Sequence, residues 1–240
     1  MNNPSEALRK ILTSKKNIRI KLLGDSVTHG LGGVGFEQDG EAIVEGYARN
    51  PNGYCWANLF RDALESRYAC KVVNNACTGT AIEFILDRFD ELVDPEDDIV
   101  ICTIGTNNRH LFRNTGITRT RREHMEQFYQ NILKLNEKFQ KIGVDVIFNA
   151  NIPAAASNEQ DTADYWRLFH MNDVHDLYMK ASGVCGFPMI SFYTAMTDYC
   201  TIKGIPVDNL LIDTLHPNDE GHKVMFHLLL RELGLAEKIS

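Results

Sequence analysis

A serine in a short Gly-Asp-Ser segment is the first residue of this chain that could do covalent chemistry. This segment, which ends at Ser26, directly follows an apolar run at residues 18–23. A serine at a strand-to-helix turn presents its hydroxyl and its backbone N–H to the same space. Serine is a weak nucleophile at neutral pH and needs a base within hydrogen-bond distance. Taken alone, the segment is more typical of a helix-capping turn in which Asp25 or Ser26 satisfies free N–H groups.

A base for this serine is available near the other end of the chain. Asp213 and His216 are three residues apart in the segment Asp-Thr-Leu-His-Pro-Asn. A carboxylate beside imidazole Nδ1 fixes the tautomer and stabilises the imidazolium that forms when Nε2 accepts the serine proton. On this motif alone, a capping aspartate and an exposed histidine before the helix that follows Pro217 are the favoured interpretation.

Two further loops contain candidate donors for an oxyanion. Asn107, in the segment Gly-Thr-Asn-Asn after a Val/Ile-rich run, could offer its side-chain amide. A loop at residues 74–79 could offer a backbone N–H. One preorganised donor is typically worth about 10²–10³ in rate. In isolation, each segment is equally well explained as an ordinary turn.

The four segments together, in this order, resemble the SGNH (GDSL-like) hydrolase family, and the resemblance spans residues 24–216. It implies a nucleophilic Ser26 whose N–H also lines the oxyanion hole, a side-chain donor at Asn107, and Asp213 and His216 as the rest of a catalytic triad. It also implies a second backbone donor at Ala76, where the family usually has glycine. Alanine can supply that N–H if its φ is negative.

The arrangement of apolar segments predicts the scaffold. Short Val- and Ile-rich runs indicate buried strands at residues 18–23, 71–74, 98–104, 144–149 and 188–192. Segments with helical period lie at 54–68, 80–89, 120–141 and 162–181, and a last helix follows Pro217. This alternation predicts one α/β domain over residues 1–240, with helices on both faces of a mostly parallel five-stranded sheet. The resemblance implies the same flavodoxin-like, three-layer fold.

Composition narrows the function. The hydrophobic fraction of 44% suits a buried core, and the net charge of −7 disfavours nucleic acid as a partner. No apolar run reaches the roughly 20 residues that span a bilayer, and the N-terminus lacks a signal-peptide core. We therefore expect a cytoplasmic protein without membrane insertion. The six cysteines lack CxxC spacing, so we expect buried free thiols.

No cofactor or metal is predicted. Residues 30–35 match the dinucleotide fingerprint G-x-G-x-x-G, but they begin well after the predicted strand and are not followed by a helical pattern. A P-loop is excluded because its Gly-Lys-Ser/Thr is missing. The pairs His170/His175 and His222/His227 are five residues apart, which separates their members around a helix.

Two long loops bear on the substrate. Residues 30–53 contain seven glycines, and residues 107–119 carry Arg109 and Arg113, which could bind an acidic sugar. Neither loop forms an evident apolar lid, so we expect a serine esterase that hydrolyses a short-chain ester, removing O-acetyl groups from a carbohydrate. An acyltransferase using the same triad and a non-catalytic carbohydrate-binding protein remain alternatives. Trp56 and Trp166 are expected on helices, within the core.

Overall fold

A parallel sheet forms the centre of the molecule. The computed structural model describes residues 3–14, 17–36 and 53–236. The strands are β1 (Ile18–Gly24), β2 (Cys70–Asn74), β3 (Ile99–Thr103), β4 (His110–Phe112), β5 (Asp145–Ala150), β6 (Tyr165–Arg167) and β7 (Met189–Ser191). Five of them pair in the order β2-β1-β3-β5-β7, and every pairing is parallel. The predicted fold class and all five predicted strands of this sheet are therefore confirmed.

Helices cover both faces of this sheet. They are α1 (Pro4–Ser14), α2 (Ser26–His29), α3 (Trp56–Glu65), α4 (Ile82–Asp87), α5 (Phe89–Leu92), α6 (Arg121–Ile142), α7 (Met171–Cys185), α8 (Phe192–Lys203) and α9 (Asp219–Glu232). Buried side chains of α1, α3, α8 and α9 form one apolar cluster with one face of the sheet. Those of α4 to α7 form a second cluster on the other face. Because successive strand residues point to opposite faces, Leu22 joins the first cluster and Leu23 the second.

One predicted helix is wrong over nearly its first half. Residues 162–181 were expected to be helical, but residues 165–167 form strand β6, and α7 begins only at Met171. Strand β6 pairs antiparallel with β4 in a separate two-stranded ribbon. Trp166 therefore lies on this half-buried ribbon, whereas Trp56 is on α3 and fully buried, as expected. No helix in the described ranges is long and apolar enough to cross a membrane.

The order of the strands determines where a site can form. The chain passes from β1 outward to β2 and then returns to β3 on the other side of β1. At such a reversal the loops diverge and leave a crevice beyond the carboxyl ends of the strands. The segments that follow β1, β2, β3 and β5 all reach this edge of the sheet, where the predicted chemical residues lie.

Candidate active site

A sharp turn at the end of β1 positions Ser26. A side chain at Gly24 would collide with Thr28 and with the Thr103 carbonyl, so only glycine fits there. Asp25 caps the single turn of α2, because its Oδ1 accepts a 3.0 Å hydrogen bond from the N–H of Val27. Ser26 is the first residue of that helical turn, and its side chain lies at the carboxyl edge of the sheet.

The carboxylate of Asp25 is completely buried beneath the nucleophile. Both of its oxygens lie 3.2 Å from the side-chain amide of Asn151, which also donates to Thr106 Oγ1 at 2.8 Å. Burial raises the pKa of Asp25, although hydrogen bonds from Thr106, Val27 and Asn151 act in the opposite direction. Asn151 thus ties the turn after β1 to the turn after β3, a role that no sequence motif around Asn151 indicates.

A closed loop carries the other two predicted triad residues. The Ile212 N–H donates to the His216 carbonyl at 2.9 Å, and Leu211 and Pro217 form an antiparallel bridge. Within the loop, Asp213 Oδ1 accepts from the N–H groups of Leu215 at 2.6 Å and His216 at 2.7 Å. These two backbone hydrogen bonds fix the orientation of the Asp213 carboxylate, in addition to any contact that it makes with a side chain.

The structure brings Ser26, His216 and Asp213 into one hydrogen-bonded chain. Ser26 Oγ lies 2.9 Å from His216 Nε2, and His216 Nδ1 lies 2.8 Å from Asp213 Oδ2. An ionised carboxylate can only accept, so Nδ1 carries the proton and Nε2 is the acceptor for the serine hydroxyl. The arrangement can therefore move a proton from Ser26 to His216, and residues 190 positions apart in the chain provide it.

Hydrogen bonds keep Asp213 ionised although it is partly shielded from water. Burial alone would raise its pKa, but the hydrogen bonds from the His216 side chain and from the His216 and Leu215 backbone prevail and lower it. The side chain of Asp213 remains 48% exposed, whereas that of His216 is 17% exposed. Solvent thus reaches the acid more readily than the base.

Asn107 lies at the same edge of the sheet, in the 3₁₀ turn that follows β3. Its amide nitrogen donates to the Thr80 carbonyl at 2.9 Å, which uses one of its two N–H groups. The second N–H of the amide is the one that can serve an oxyanion. The neighbouring Asn108 is buried instead, and holds α4 through the N–H of Ile82 and the carboxylate of Glu83.

The geometry contradicts the predicted donor role of Ala76. Its N–H donates to Asn74 Oδ1 at 3.0 Å, and the N–H of Cys77 donates to the Gly24 carbonyl at 3.0 Å. The first bond ties residue 76 to the end of β2, and the second holds the loop against the end of β1. Both N–H groups are therefore already engaged within the protein.

Gly79 is the alternative candidate for a backbone donor in this loop. It has a φ of 78°, a region that glycine adopts without strain, and its Cα faces open space. It directly precedes Thr80, whose carbonyl holds Asn107. Within the described part of the chain, no hydrogen bond from the Gly79 N–H to protein is found. Gly79 is the only glycine between β2 and α4, a signal that the sequence already contained.

Arg109 is a buried cross-link, contrary to its predicted role in binding substrate. Its side chain is fully buried, and donates to Thr106 O at 3.1 Å, to Glu159 Oε2 at 2.7 Å and to Asn158 Oδ1 at 2.9 Å. Burial lowers the pKa of Arg109 to about 10, partly offset by Glu159, so the guanidinium stays charged at neutral pH. Since Asn158 also donates to Thr214 Oγ1 at 2.9 Å, Arg109 braces the Asn107 turn against the Asp213 loop.

Arg113, the other arginine predicted to bind substrate, is exposed, and its guanidinium lies 4.7 Å from the centre of the Trp166 ring. Asp161 lies 3.8 Å from it. The structure therefore does not bring Arg113 into the hydrogen-bonded chain of Ser26, and its role in substrate binding stays a prediction.

The glycine-rich segment after α2 has a packing explanation. A Cβ at Gly32 would collide with the Pro217 carbonyl, and one at Gly33 with the Tyr54 carbonyl. The glycines thus allow the chain to pass directly beside the His216 loop. The rest of the predicted loop, residues 37–52, lies outside the described residues.

Within the described ranges, no group of three or more His, Cys, Asp or Glu side chains is arranged to hold a metal ion. The six cysteines are free thiols, four of them buried, and burial raises the pKa of Cys55 to about 11.

A hydrogen-bonded serine, histidine and aspartate is the arrangement of serine hydrolases, which use it on several unrelated folds. The model of the GDSL-like Lipase/Acylhydrolase family matches residues 22–224. The chain therefore belongs to that family and is a carboxylic ester hydrolase.

Solved structures with this fold differ widely from the chain in sequence. LAE5, an alpha/beta hydrolase enzyme from the metagenome of Lake Arreo, Spain, is 18% identical with a TM-score of 0.69, over 94% of this chain and 99% of its own. Axe2, an acetylxylan esterase from Geobacillus stearothermophilus, is 18% identical with a TM-score of 0.67, over 91% and 95% of the two chains. At these identities the likeness shows the fold alone. No curated relative matches the chain.

Proposed function

We propose that this enzyme hydrolyses short-chain carboxylic esters through an acyl-enzyme on Ser26, and that its substrates are O-acetylated carbohydrates. The hydrogen-bonded chain from Ser26 Oγ through His216 to Asp213 carries the proposal. Its distances of 2.9 and 2.8 Å are within the range that general-base catalysis needs.

In the first half of the reaction, Ser26 Oγ attacks the ester carbonyl carbon while its proton passes to His216 Nε2. The negative charge that develops on the carbonyl oxygen is stabilised by the Ser26 N–H, the Gly79 N–H and the free N–H of the Asn107 amide. The carbon–oxygen bond to the alcohol then breaks, and His216 returns the proton to the leaving alkoxide.

In the second half, water attacks the acyl-enzyme. His216 accepts the proton of that water, and the carboxylic acid leaves as Ser26 recovers its proton. Asp213 stabilises the imidazolium in both halves without being protonated, in keeping with its lowered pKa.

The similar structures support the roles and the substrate class. Variants of Axe2 described as catalytic mutants replace a serine, an aspartate and a histidine, with the aspartate three positions before the histidine. Asp213 and His216 have the same spacing. Axe2 acts on acetyl-xylooligosaccharides or acetylxylan, according to its descriptions, and this favours a small acyl group on a carbohydrate here.

The test compares p-nitrophenyl esters from acetate to laurate with acetylated xylo-oligosaccharides. We expect kcat/KM to fall as the acyl chain lengthens and Ser26→Ala to lose about 10⁴–10⁶-fold in kcat. A higher kcat/KM on laurate than on acetate would reject the short-chain assignment.

A matched control is present in the same molecule. Ser191 Oγ lies 2.9 Å from His175 Nδ1, but this serine caps α8 through the N–H of Thr194. Ser191→Ala should cost about 1 kcal/mol of stability through the lost cap and leave hydrolysis unchanged. Equal losses of activity in the two variants would show that the Ser26 assignment is wrong.

A further inference from the structure

The two-stranded ribbon of β4 and β6 presents a cluster of rings at the edge of the site. On one face, the register pairs His110 with Arg167 and Phe112 with Tyr165. The ring centroids of His110 and Phe112 are 4.8 Å apart, and those of His110 and Tyr165 are 4.9 Å apart. We call the side chains of His110, Phe112, Tyr165 and Arg167 the aromatic face. Phe112 is 48% exposed, so this part of the ring cluster is accessible from solvent.

Asn158 connects the aromatic face with the loop that carries Asp213 and His216. Arg167 donates to the Asn158 carbonyl at 2.9 Å and to Asn158 Oδ1 at 3.2 Å. The amide of Asn158 in turn donates to Thr214 Oγ1, next to Asp213. The aromatic face is therefore held in a fixed position relative to the proposed triad.

The three arginines around the ribbon already have partners. Arg109 pairs with Glu159 at 2.7 Å, and Arg113 lies 3.8 Å from Asp161 and 4.7 Å from the centre of the Trp166 ring. Arg167 interacts electrostatically with the same two carboxylates. Each guanidinium is thus engaged within the protein, and the surface offers aromatic rings with polar groups at their rim.

We propose that the aromatic face binds a neutral sugar unit next to the one whose acetyl group reacts at Ser26. A pyranose ring exposes a face of C–H groups, which packs on the electron-rich face of an aromatic ring. Phe112 supplies the ring, and the Tyr165 hydroxyl and the Arg167 guanidinium supply polar contacts for sugar hydroxyls. This proposal rests on the proposed function, since it assigns the alcohol half of the same ester.

The experiment measures kcat/KM for acetylated xylotetraose, for acetylated xylose and for p-nitrophenyl acetate. We expect the wild-type enzyme to prefer the tetraose ester over the monosaccharide ester. In Phe112→Ala this preference should fall about tenfold. The loss should be in KM and not in kcat, because the ring would bind the sugar equally well in the ground state and in the transition state. Phe112→Tyr keeps the ring and should restore the preference.

The control is Ile117→Ala, which removes another exposed apolar side chain from the neighbouring loop. It should leave all three values unchanged. If Ile117→Ala and Phe112→Ala have the same effect, the aromatic face is not a sugar site. A higher kcat/KM on acetylated oligogalacturonate than on acetylated xylotetraose would overturn the assignment to a neutral sugar.

Failure of this inference is separable from failure of the proposed function. Wild-type enzyme that hydrolyses p-nitrophenyl acetate through Ser26 but shows no preference for the tetraose ester overturns the aromatic-face proposal alone. Wild-type enzyme inactive on every ester, or a Ser26→Ala variant with undiminished turnover, overturns the proposed function.

Discussion

The two aspartates on either side of the Ser26–His216 pair lie in opposite environments. Asp25 is fully buried, and side-chain amide, hydroxyl and backbone groups surround it. Asp213 lies on a loop, half-exposed, with two backbone N–H groups on one oxygen and His216 on the other. Burial raises the pKa of Asp25, whereas hydrogen bonds lower that of Asp213.

This difference in environment indicates different roles for the two carboxylates. Asp213 remains an anion down to acidic pH. A group that stabilises a transient imidazolium must carry this negative charge. Asp25 is in a place that disfavours its charge, and its contacts are those of a residue that positions its neighbours. Ser26 is thus held by the buried interior of the protein. His216 is held by a short loop, which is attached to the rest of the molecule through hydrogen bonds to Thr214.

Asp213→Asn tests the exposed carboxylate of this comparison and should have a larger effect than any substitution of Asp25, Asn107 or Gly79 considered below. The asparagine Oδ1 can still accept from Leu215 and His216, so the loop should keep its shape. An amide facing His216 Nδ1 favours the wrong tautomer, and we expect kcat to fall about 10³–10⁴-fold. Steady-state kinetics on p-nitrophenyl acetate measure this loss.

Asp219→Asn is the control for loss of charge alone. Asp219 lies six residues further along the chain and accepts a 2.8 Å hydrogen bond from the N–H of Val34. A comparable loss in both variants would mean that general electrostatics, and not the contact with His216, explains the result for Asp213.

Asn107→Ala removes the amide that we propose as the side-chain donor to the oxyanion. We expect kcat to fall about 10²–10³-fold with little change in KM. Asn107→Asp keeps the size of the side chain but removes both N–H groups, so it should be at least as impaired. Should Asn107→Ala stay within about threefold of wild type, the donor assignment is wrong.

Gly79→Ala distinguishes the two candidate backbone donors. At a φ of 78° an alanine costs about 1–2 kcal/mol and shifts the amide, so we expect kcat to fall about tenfold. Ala76→Gly should change kcat little, since the N–H of residue 76 is held by Asn74.

The control for strain alone is Gly116→Ala, at a φ of 66° and also beside open space. It should lose similar stability and keep its activity. If Gly79→Ala is as active as Gly116→Ala, Gly79 is not a donor.

The sequence predicted most of the central fold because buried parallel strands have a clear signature. The runs at β1 and β3 are dominated by Val, Ile and Leu, and β5 carries an apolar Val-Ile-Phe core, since helices cover both faces of the sheet. The ribbon of β4 and β6 was not predicted, because three-residue strands with mixed surroundings show no period that can be distinguished from a loop or a helix.

The site residues also differed in how well the sequence predicted their roles. Ser26, Asp213 and His216 occur in short motifs, so their proximity was predicted before the fold was known. Arg109 looks like any loop arginine in the sequence, and its burial depends on Glu159 and Asn158, some 50 residues away. The engagement of the Ala76 N–H depends on the rotamer of Asn74, which no motif encodes.

The smallest expected effect concerns stability and pH, and it compares the two aspartates directly. The raised pKa of Asp25 means that the folded state keeps a proton which the unfolded chain has already released, so Asp25 makes the protein less stable as pH rises from about 4 towards its folded pKa. Asp25→Asn lacks this ionisation, so its Tm should rise relative to that of wild type as the pH increases from about 4 to about 7.

The lowered pKa of Asp213 has the opposite sign, because its stabilisation is present above its unfolded pKa and is lost as the pH falls through its folded pKa. Asp213→Asn should therefore lose Tm relative to wild type at pH 7 and approach it at acidic pH. Calorimetric Tm values from pH 3 to 7 measure both differences, and slopes of the same sign for the two variants would show that the two carboxylates do not lie in opposite environments.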